Sequence, residues 1–415
     1  MSSLSAFSRI KKLPRIALRA VKVLVYYVRV LVGKAAPEPE LTFVQKIRSS
    51  YILPGTLSVP APRGYFSQPN SRLRIVDDVA GLPHVLWKNH SQCQLDPPKT
   101  ASGPPAKVRW NAPSASFILA IKGGCVAPDG LVFDRQAVYR NAKWYYAPPP
   151  DSLPIIHVDR LITFIQLWSS EFIHFTFDTL PRLNLAYDFI CNETGISILV
   201  PDSPFIAKIL NALEIHPSRI ISQKSGYVYS ANVVYYPHFY NHGFPEKMGL
   251  LPTGSLDKVR KELSGPYSHP QDRVVYLKRR ENLSRSVENE ADLLDKVRER
   301  LEKGLTLTVY EPYDDWTRDR EIMKRARVVL GPHGGAWSNI IFCREDAHVI
   351  EFIPLLTFKS LGLNERPCYY GLSSALNLNY WCVEPANFEF DEPGARMRVP
   401  LNELMSVLRQ IGVCT

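Results

Sequence analysis

The sequence predicts an α/β protein made of two doubly wound halves that face a cleft. Its 415 residues are long for a single core and sufficient for two domains. Apolar residues make up 45% of the chain and charged residues 22%, which is the composition of a globular protein. From about residue 155 onward, short apolar runs alternate with longer helical patterns, which is typical of repeated β-α-β units.

The first half combines short strands with one clear helix. Proline-rich segments separate these elements and indicate loops. Strands are predicted at 117–121, 131–133, 137–139, 196–200, 219–221 and 232–236, and a helix is predicted at 204–213.

The second half repeats the alternation after a turn-rich crossover, 241–272, that contains one helix near 255–263. Strands are predicted at 273–278, 305–310, 328–330 and 348–352, and helices at 290–303, at 316–326 and from the glycine-rich loop to residue 342. The predicted divisions are a basic helix at 1–35, an N-terminal domain at 36–250, a C-terminal domain at 251–390 and a C-terminal helix at 391–415 that packs back.

Residues 9–34 predict an amphipathic helix with a basic stripe. Three cations interrupt the apolar run between residues 16 and 32, whereas a membrane span needs about 20 nearly uncharged residues. At about 100° per residue the cations from residue 11 to residue 29 fall on one arc, and the rest of that segment is apolar. This pattern favours a helix lying in the interface of an anionic membrane over one docked on the protein's own core.

The net charge of +10 favours anionic partners. Nucleic acid is not expected among them, because the chain has no zinc-finger array, no Lys/Arg tail and no aromatic-rich RNA-binding strand. The seven cysteines form no Cys-x-x-Cys pair, which argues against a zinc ribbon. Their odd number and wide spacing suit reduced thiols, although disulfides in a secretory lumen stay open.

A glycine-rich loop, GPHGGAWSNIIF at 331–342, follows a predicted buried strand and precedes a predicted helix. Gly331, Gly334 and Gly335 permit close approach of backbone to a ligand, and amides at a helix start attract anions. His333 is suited either to donate to a phosphate oxygen or to exchange a proton. A tight turn whose histidine bonds to backbone is the alternative interpretation.

A cationic segment, LKRRENLSR at 277–285, follows the first strand of the second half. Arg279, Arg280 and Arg285 carry planar donor groups that fit phosphate oxygens. Because parallel strands end at one edge of a sheet, these cations are expected beside the His333 loop, where they would hold a diphosphate. A solvated surface cluster balanced by nearby glutamates is the alternative.

Two further stretches carry carboxylates. His174 and Asp178 are four residues apart, so on a helix they share a face and are candidates for a general base. Pro181 in the same segment weakens that spacing argument, and a structural hydrogen bond is the alternative. Glu351 ends a predicted strand, a position from which carboxylates in nucleotide-binding folds often contact ribose.

Together these stretches resemble glycosyltransferase family 61 over roughly residues 115 to 385. The family's His-x-x-x-Asp-x-x-Pro-Arg-Leu segment is HFTFDTLPRL here, beginning at His174. Its strand followed by Ser-Arg-Arg is LKRRENLSRSVENE here, with Lys278 where serine is usual. Its Gly-x-His-Gly-Ala-x-x-x-Asn motif is GPHGGAWSN here, with Gly335 before the alanine and Asn339 in place.

The resemblance implies two Rossmann-like domains in the GT-B arrangement and inverting transfer from a nucleotide sugar, with no metal and no further cofactor. The loop and arginines, together with Asn339 and Glu351, would bind the donor, and Asp178 or His174 would be the base. The sequence itself has no Asp-x-Asp motif and no metallohydrolase pattern. A non-catalytic module that binds nucleotide or glycan phosphate in a polysaccharide assembly is the alternative function.

The expected acceptor is a glycan or a lipid-linked glycan, which the basic helix would meet at a membrane surface. Since residues 1–35 show no secretory signal pattern, the expected location is the cytoplasmic face of a bacterial inner membrane. A Golgi-lumen enzyme with an unusual anchor is the alternative.

Overall fold

The computed structural model describes the chain in segments. They are residues 58–60, 72–76, 85–90, 94–95, 99–102, 110–111, 115–128, 130–134, 137–139, 153–166, 170–224, 226–240, 251, 254–280, 283–311, 316–354, 368–386 and 394–415. The predicted basic helix at 9–34 lies outside the described residues.

Eighteen strands and nine helical elements are assigned within the described residues. The strands are β1 Ser58–Pro60, β2 Arg72–Val76, β3 Val85–His90, β4 Gln94–Leu95, β5 Trp110–Asn111, β6 Ala115–Lys122, β7 Cys125–Val126, β8 Val132–Phe133, β9 Ala137–Tyr139, β10 Ile155–Thr163, β11 Ser197–Val200, β12 Ile220–Ser222, β13 Val228–Tyr240, β14 Arg273–Leu277, β15 Thr306–Tyr310, β16 Ala326–Pro332, β17 His348–Phe352 and β18 Asn379–Val383. The α-helices are α1, which joins Phe172–His174, the π-helical turn Phe175–Thr179 and Leu180–Asn192, then α2 Pro204–Ala212, α3 Asp257–Ser264, α4 Glu290–Arg300, α5 Trp316–Lys324, α6 Cys368–Ala375 and α7 Leu401–Gln410. Two 3₁₀ helices are Pro217–Arg219 and Gly335–Phe342.

The C-terminal sheet is wholly parallel, with the strand order β15-β14-β16-β17-β18. Its central strands are runs of Val, Ile and Leu that are buried on both faces, as a parallel sheet covered by helices requires. The chain leaves β14 toward β15 on one side and returns to β16 on the other. The crevice between the carboxyl ends of β14 and β16 is therefore a topological switch point, where open α/β sheets bind ligands.

The N-terminal sheet has eleven strands, and its parallel part runs β13-β10-β11-β12. β6 and β7 extend it in antiparallel pairing with β13. Because β10 leads to β11 on one side and pairs with β13 on the other, its carboxyl end is a second switch point. Helix α1 begins just after that end.

One apolar core spans both sheets. Ile162 and Phe164 from the first sheet, Leu256 and Val259 near α3, and Val329 from the second sheet belong to the same buried cluster. Helix α3 contacts α1 and the 3₁₀ helix Gly335–Phe342. A separate cluster under α4 and α7 covers the other face of the C-terminal sheet. These contacts bring the two switch points near each other.

The predicted alternation of strands and helices is confirmed, and β9 and β17 have the predicted bounds. The predicted helix after the glycine-rich loop is corrected to a 3₁₀ helix. Its bonding pattern is i to i−3, because the backbone N–H of Trp337 donates to the carbonyl oxygen of Gly334. The α/β class with parallel sheets is thus established. β10, β18 and α6 are additional elements that the sequence pattern did not reveal.

Candidate functional site

The carboxyl end of β16 requires glycine at residue 331, one position before the strand ends at Pro332. Gly331 has φ +155°, and a Cβ there would lie 2.8 Å from the carbonyl oxygen of Leu277 on the neighbouring strand. A Cβ on Gly334 would lie 2.5 Å from a terminal guanidinium nitrogen of Arg279, whereas one on Gly335 would meet no atom within 4 Å. Gly331 therefore permits close packing of β16 against Leu277 of β14, and Gly334 leaves space for the guanidinium of Arg279.

His333 in the glycine-rich loop is held by a buried carboxylate. Its Nδ1 lies 2.5 Å from Oε1 of Glu351, and the two side chains are 5% and 0% exposed. The hydroxyl of Tyr380 donates to the other oxygen, Oε2, at 2.5 Å. The predicted ribose ligand Glu351 thus lies beneath the loop with both oxygens engaged, and it comes from β17 while its second partner comes from β18.

The 3₁₀ helix Gly335–Phe342 is fixed by side chains. Trp337 donates its indole N–H to the Pro332 carbonyl oxygen at 2.9 Å. Asn339, predicted to bind the donor, is buried and donates to the hydroxyl of Tyr310 at 3.0 Å. These bonds hold the loop in place.

The predicted arginines differ in placement. Arg279 is half-buried and donates from Nε to the Ser284 carbonyl oxygen at 2.5 Å, and burial lowers the pKa of its guanidinium. Arg285 is also half-buried, with φ +72°, and its charge acts on the Tyr369 phenol. Arg280 is exposed, and Lys278 pairs with Glu311 at 3.4 Å. Arg279 therefore lies against Gly334 of the His333 loop, and Arg285 lies close enough to Tyr369 to act on its phenol.

His174 and Asp178 lie on the first turns of α1. The Nδ1 of His174 is 3.1 Å from Oδ2 of Asp178, and the side chains are 16% and 30% exposed. The π-helical turn that contains Asp178 inserts an extra residue into the helix before Pro181, and such turns are frequent at functional sites. The predicted shared face is confirmed as a contact between the two side chains.

Arg182 lies near this pair. It belongs to the HFTFDTLPRL motif but was not predicted as a site residue. Its buried guanidinium donates to the carbonyl oxygen of Pro237 at 2.7 Å and to that of Thr163 at 3.4 Å. It also lies 5.0 Å from the ring centre of Tyr236. Burial lowers the pKa of Arg182, and the charges of Tyr236 and Asp178 oppose that shift. Arg182 thus ties α1 to the ends of β10 and β13.

Tyr369 on α6 connects the two parts of the site. Its ring centre lies 5.1 Å from that of His333 and 5.6 Å from that of Phe177, which is beside Asp178. The start of α1 also contacts the 3₁₀ helix Gly335–Phe342 directly. Burial, followed by the nearby Cys368 and Glu351, raises the pKa of Tyr369 well above its ordinary value. It therefore stays a neutral phenol between His333 and Phe177.

Tyr369 and Tyr380 were not predicted as site residues. Their signal in the sequence is weak, because tyrosines in apolar runs such as PCYYGL and NLNYWC are usually core residues. A strand predicted at 379–383 would have brought Tyr380 beside Glu351, since β18 is the next parallel strand. No comparable local pattern marks Tyr369.

Candidate metal sites, membrane-length helices and disulfides are absent from the described residues. No group of three or more His, Cys, Asp and Glu side chains suited to a metal ion occurs among them. Within the same residues, no helix combines the length and apolar character of a membrane span. The six cysteines in the described part of the chain are all free thiols, and all but Cys191 are buried.

A parallel α/β sheet has cations near its switch point and a histidine–carboxylate pair beside it, an arrangement suited to anion binding and proton transfer. The family model Glycosyltransferase 61 matches residues 172–350. The match covers less than half of the chain; over these residues the chain is similar to glycosyltransferase family 61, which indicates a glycosyltransferase. The match covers the three motifs that begin at His174, Lys278 and Gly331 and ends one residue before Glu351. No curated protein matches the chain.

Proposed function

We propose that the enzyme transfers a sugar, with inversion and without a metal, from a nucleotide-sugar donor to a glycan or glycolipid acceptor of the cell surface. One observation carries this proposal. The His174–Asp178 pair lies on a helix start that contacts the segment following the His333 loop, so a proton acceptor and a cationic anion site adjoin. Inverting transfer needs both groups at one reacting centre.

The leaving nucleoside diphosphate is assigned to the C-terminal sheet. Arg279 and Arg285 supply charge, and His333 supplies a ring N–H, all at or near the carboxyl edge of β14 and β16. Arg279 is partly desolvated, so its attraction for a phosphate oxygen exceeds that of an exposed cation. Fixed cations of this kind stabilise charge that develops on the departing oxygen, and this is the basis for proposing a metal-independent reaction.

The acceptor hydroxyl is assigned to the His174–Asp178 pair. Asp178 accepts the Nδ1–H of His174, which leaves Nε2 of that ring as the proton acceptor. As the acceptor oxygen attacks the anomeric carbon, its proton passes to His174. The bond from the anomeric carbon to the phosphate oxygen breaks, and the diphosphate leaves with the electron pair.

The wider assignments rest on the sequence. The GT-B arrangement, with the acceptor bound by 36–250 and the donor by 251–390, agrees with two switch points that lie near each other. The amphipathic pattern of residues 9–34 supports attachment to the cytoplasmic face of a membrane that carries the acceptor. Flotation with anionic liposomes tests the attachment, and equal binding by a chain that lacks residues 1–34 removes it.

The catalytic proposal is tested by incubating the protein with a panel of nucleotide sugars, with and without EDTA, and measuring released nucleoside diphosphate. Turnover with at least one donor, unchanged by EDTA, is expected. Arg279→Lys keeps the charge but loses the planar donor group and is expected to lower turnover at least tenfold. Arg298→Lys, at an exposed arginine on α4 that pairs with Asp295, is the matched control.

Nucleotide binding without turnover of any donor would instead support the non-catalytic phosphate-binding scaffold. Loss of turnover on addition of EDTA would remove the metal-independent part of the proposal. The anomeric configuration of the product, read by NMR, decides between inversion and retention.

A further inference from the structure

Glu351 presents an unusual electrostatic arrangement for a strand residue. Its carboxyl group is completely buried, and two hydrogen bonds of 2.5 Å reach it from Nδ1 of His333 and from the hydroxyl of Tyr380. Burial, followed by the charge of Glu351, raises the pKa of Tyr380 well above its ordinary value, so the phenol remains a donor. Only His333 is then able to exchange a proton with the carboxyl group.

The Glu351–His333 pair has two electrically neutral protonation forms. In one, ionised Glu351 faces an imidazolium, and in the other, protonated Glu351 donates to the Nδ1 of a neutral ring. A neutral imidazole carries one N–H, so in both forms Nε2 bears a hydrogen. Nε2 becomes an acceptor only if the pair carries a net negative charge, which would bury an anion without a bound cation.

The groups that face the pair agree with a retained proton. Tyr369 on α6 lies against the His333 ring as a neutral phenol. Cys382 on β18 is buried near Glu351, and burial followed by that charge raises the pKa of its thiol well above the ordinary value. The cations Arg279 and Arg285 lie on the ligand side, where an incoming anion offsets their charge.

We propose that Glu351 and Tyr380 are positioning residues that keep a hydrogen on Nε2 of His333, so that this nitrogen donates to an anionic oxygen in the Gly331–Gly335 loop. This rests on the proposed function for the identity of the anion, a diphosphate. It assigns His333 to the leaving group and separates it from the base pair on α1. His333 touches the ligand, whereas the other two residues act through it.

The two positioning residues have opposite expected effects. Glu351→Gln removes the negative charge that retains the second proton of the His333 ring, so the imidazolium is expected to lose that proton, and pyrophosphate binding to weaken, at lower pH than in the wild type. Tyr380→Phe removes one of the two donors from the carboxylate, which then attracts the His333 proton more strongly, so binding is expected to persist to higher pH. A merely structural role would not separate the two variants in direction.

The matched control is Tyr276→Phe. Tyr276 is likewise a buried strand tyrosine whose hydroxyl donates to a glutamate, Glu290 at 2.8 Å, but it belongs to the core under α4. This variant loses the same kind of bond and is expected to leave the pH midpoint of binding unchanged.

The experiment uses the full chain labelled with ¹⁵N-histidine, and His333→Gln identifies the His333 signal. Imidazole ¹⁵N shifts are followed against pH in the ligand-free protein and again with inorganic pyrophosphate, whose affinity is measured by calorimetry. Two results support the proposal. The wild type shows an Nε2–H signal for His333. The pH midpoint of the His333 imidazole titration shifts by at least half a unit, downward for Glu351→Gln and upward for Tyr380→Phe.

A neutral ring protonated at Nδ1 alone near pH 7, or shifts of both variants in one direction, overturns it. The ligand-free spectra report the proton on His333 whether or not pyrophosphate binds. If the two variants shift the pH midpoint of His333 in opposite directions but pyrophosphate does not bind, the result counts against the proposed donor site. The assignment of Glu351 and Tyr380 would then stand.

Discussion

Two histidine–carboxylate pairs occupy the two halves of the site, and they differ in almost every respect except the ring nitrogen that they use. His174–Asp178 is a local pair, four residues apart on one helix, and both side chains reach solvent. His333–Glu351 joins the loop after β16 to the neighbouring strand β17, and solvent reaches almost none of it. Both pairs bond through Nδ1.

The difference shows how burial assigns chemical roles to one residue type. Solvent reaches the partly exposed pair and can offset a charge that moves with a proton. In the buried pair, proton loss would leave an uncompensated charge, and this supports the proposal that His333 keeps its proton. The first arrangement suits a base, and the second suits a fixed donor to a leaving group.

The largest effect is expected on the rate of turnover, from a change in the partly exposed His174–Asp178 pair. Asp178→Asn keeps the shape of the side chain but removes the charge that orients His174, so turnover is expected to fall by about 10²- to 10⁴-fold. The melting temperature is expected to change little. Asp188→Asn, at an exposed carboxylate on the same helix that pairs with Lys258, is the control. Equal activity of Asp178→Asn and wild type would remove the base assignment.

The next effect concerns stability and reverses the order of the two pairs. Glu351→Ala breaks a fully buried pair and is expected to lower the free energy of unfolding by about 3–5 kcal/mol. His174→Ala breaks a partly exposed pair and is expected to cost less than about 1 kcal/mol. Urea denaturation measures both. Similar costs would show that the pairs do not differ in the way their burial indicates.

A smaller effect separates two adjacent glycines in the donor loop. A methyl group at Gly334 would displace the guanidinium of Arg279, a flexible end that moves without unfolding the loop. Gly334→Ala is therefore expected to weaken pyrophosphate binding about tenfold, which corresponds to about 1.4 kcal/mol. Gly335→Ala places its methyl group in open space and is the control. Equal affinities in calorimetry would show that Arg279 does not contact the anion.

The smallest effect comes from a histidine without a carboxylate partner of this kind. His348 begins the strand that contains Glu351 and accepts the indole N–H of Trp381 at 3.2 Å. Burial, followed by the charges of Lys99 and Arg327, lowers its pKa to about 4, although Asp346 opposes the shift.

Between about pH 6.5 and pH 4 the unfolded chain binds a proton at this position that the folded chain does not, so stability falls with falling pH. His348→Gln is expected to reduce that fall in melting temperature slightly, and His157→Gln, at an exposed histidine, is expected to leave it unchanged. A steeper fall in His348→Gln would contradict the sign.

Much of the fold could be predicted because its strands are marked locally. The runs VVYL in β14 and VVL in β16 are buried on both faces, so their apolar character is continuous, and turn residues bound them. β10 and α6 were missed for physical reasons. The first half of β10 mixes apolar residues with His157, Asp159 and Arg160, so it lacks a continuous apolar run. Helix α6 contains tyrosine, serine and glycine, which favour helices weakly.

The sequence by itself determined the local chemistry. The spacing of His174 and Asp178 and the glycines around His333 follow from backbone geometry over a few residues. Only the tertiary structure decided that Glu351 lies under His333, that Tyr380 completes its hydrogen bonds and that Tyr369 lies between His333 and Phe177. Those contacts depend on the order of parallel strands and on the packing of α6, which act across long stretches of chain. Burial itself, which separates the two pairs in function, is a property of the assembled core.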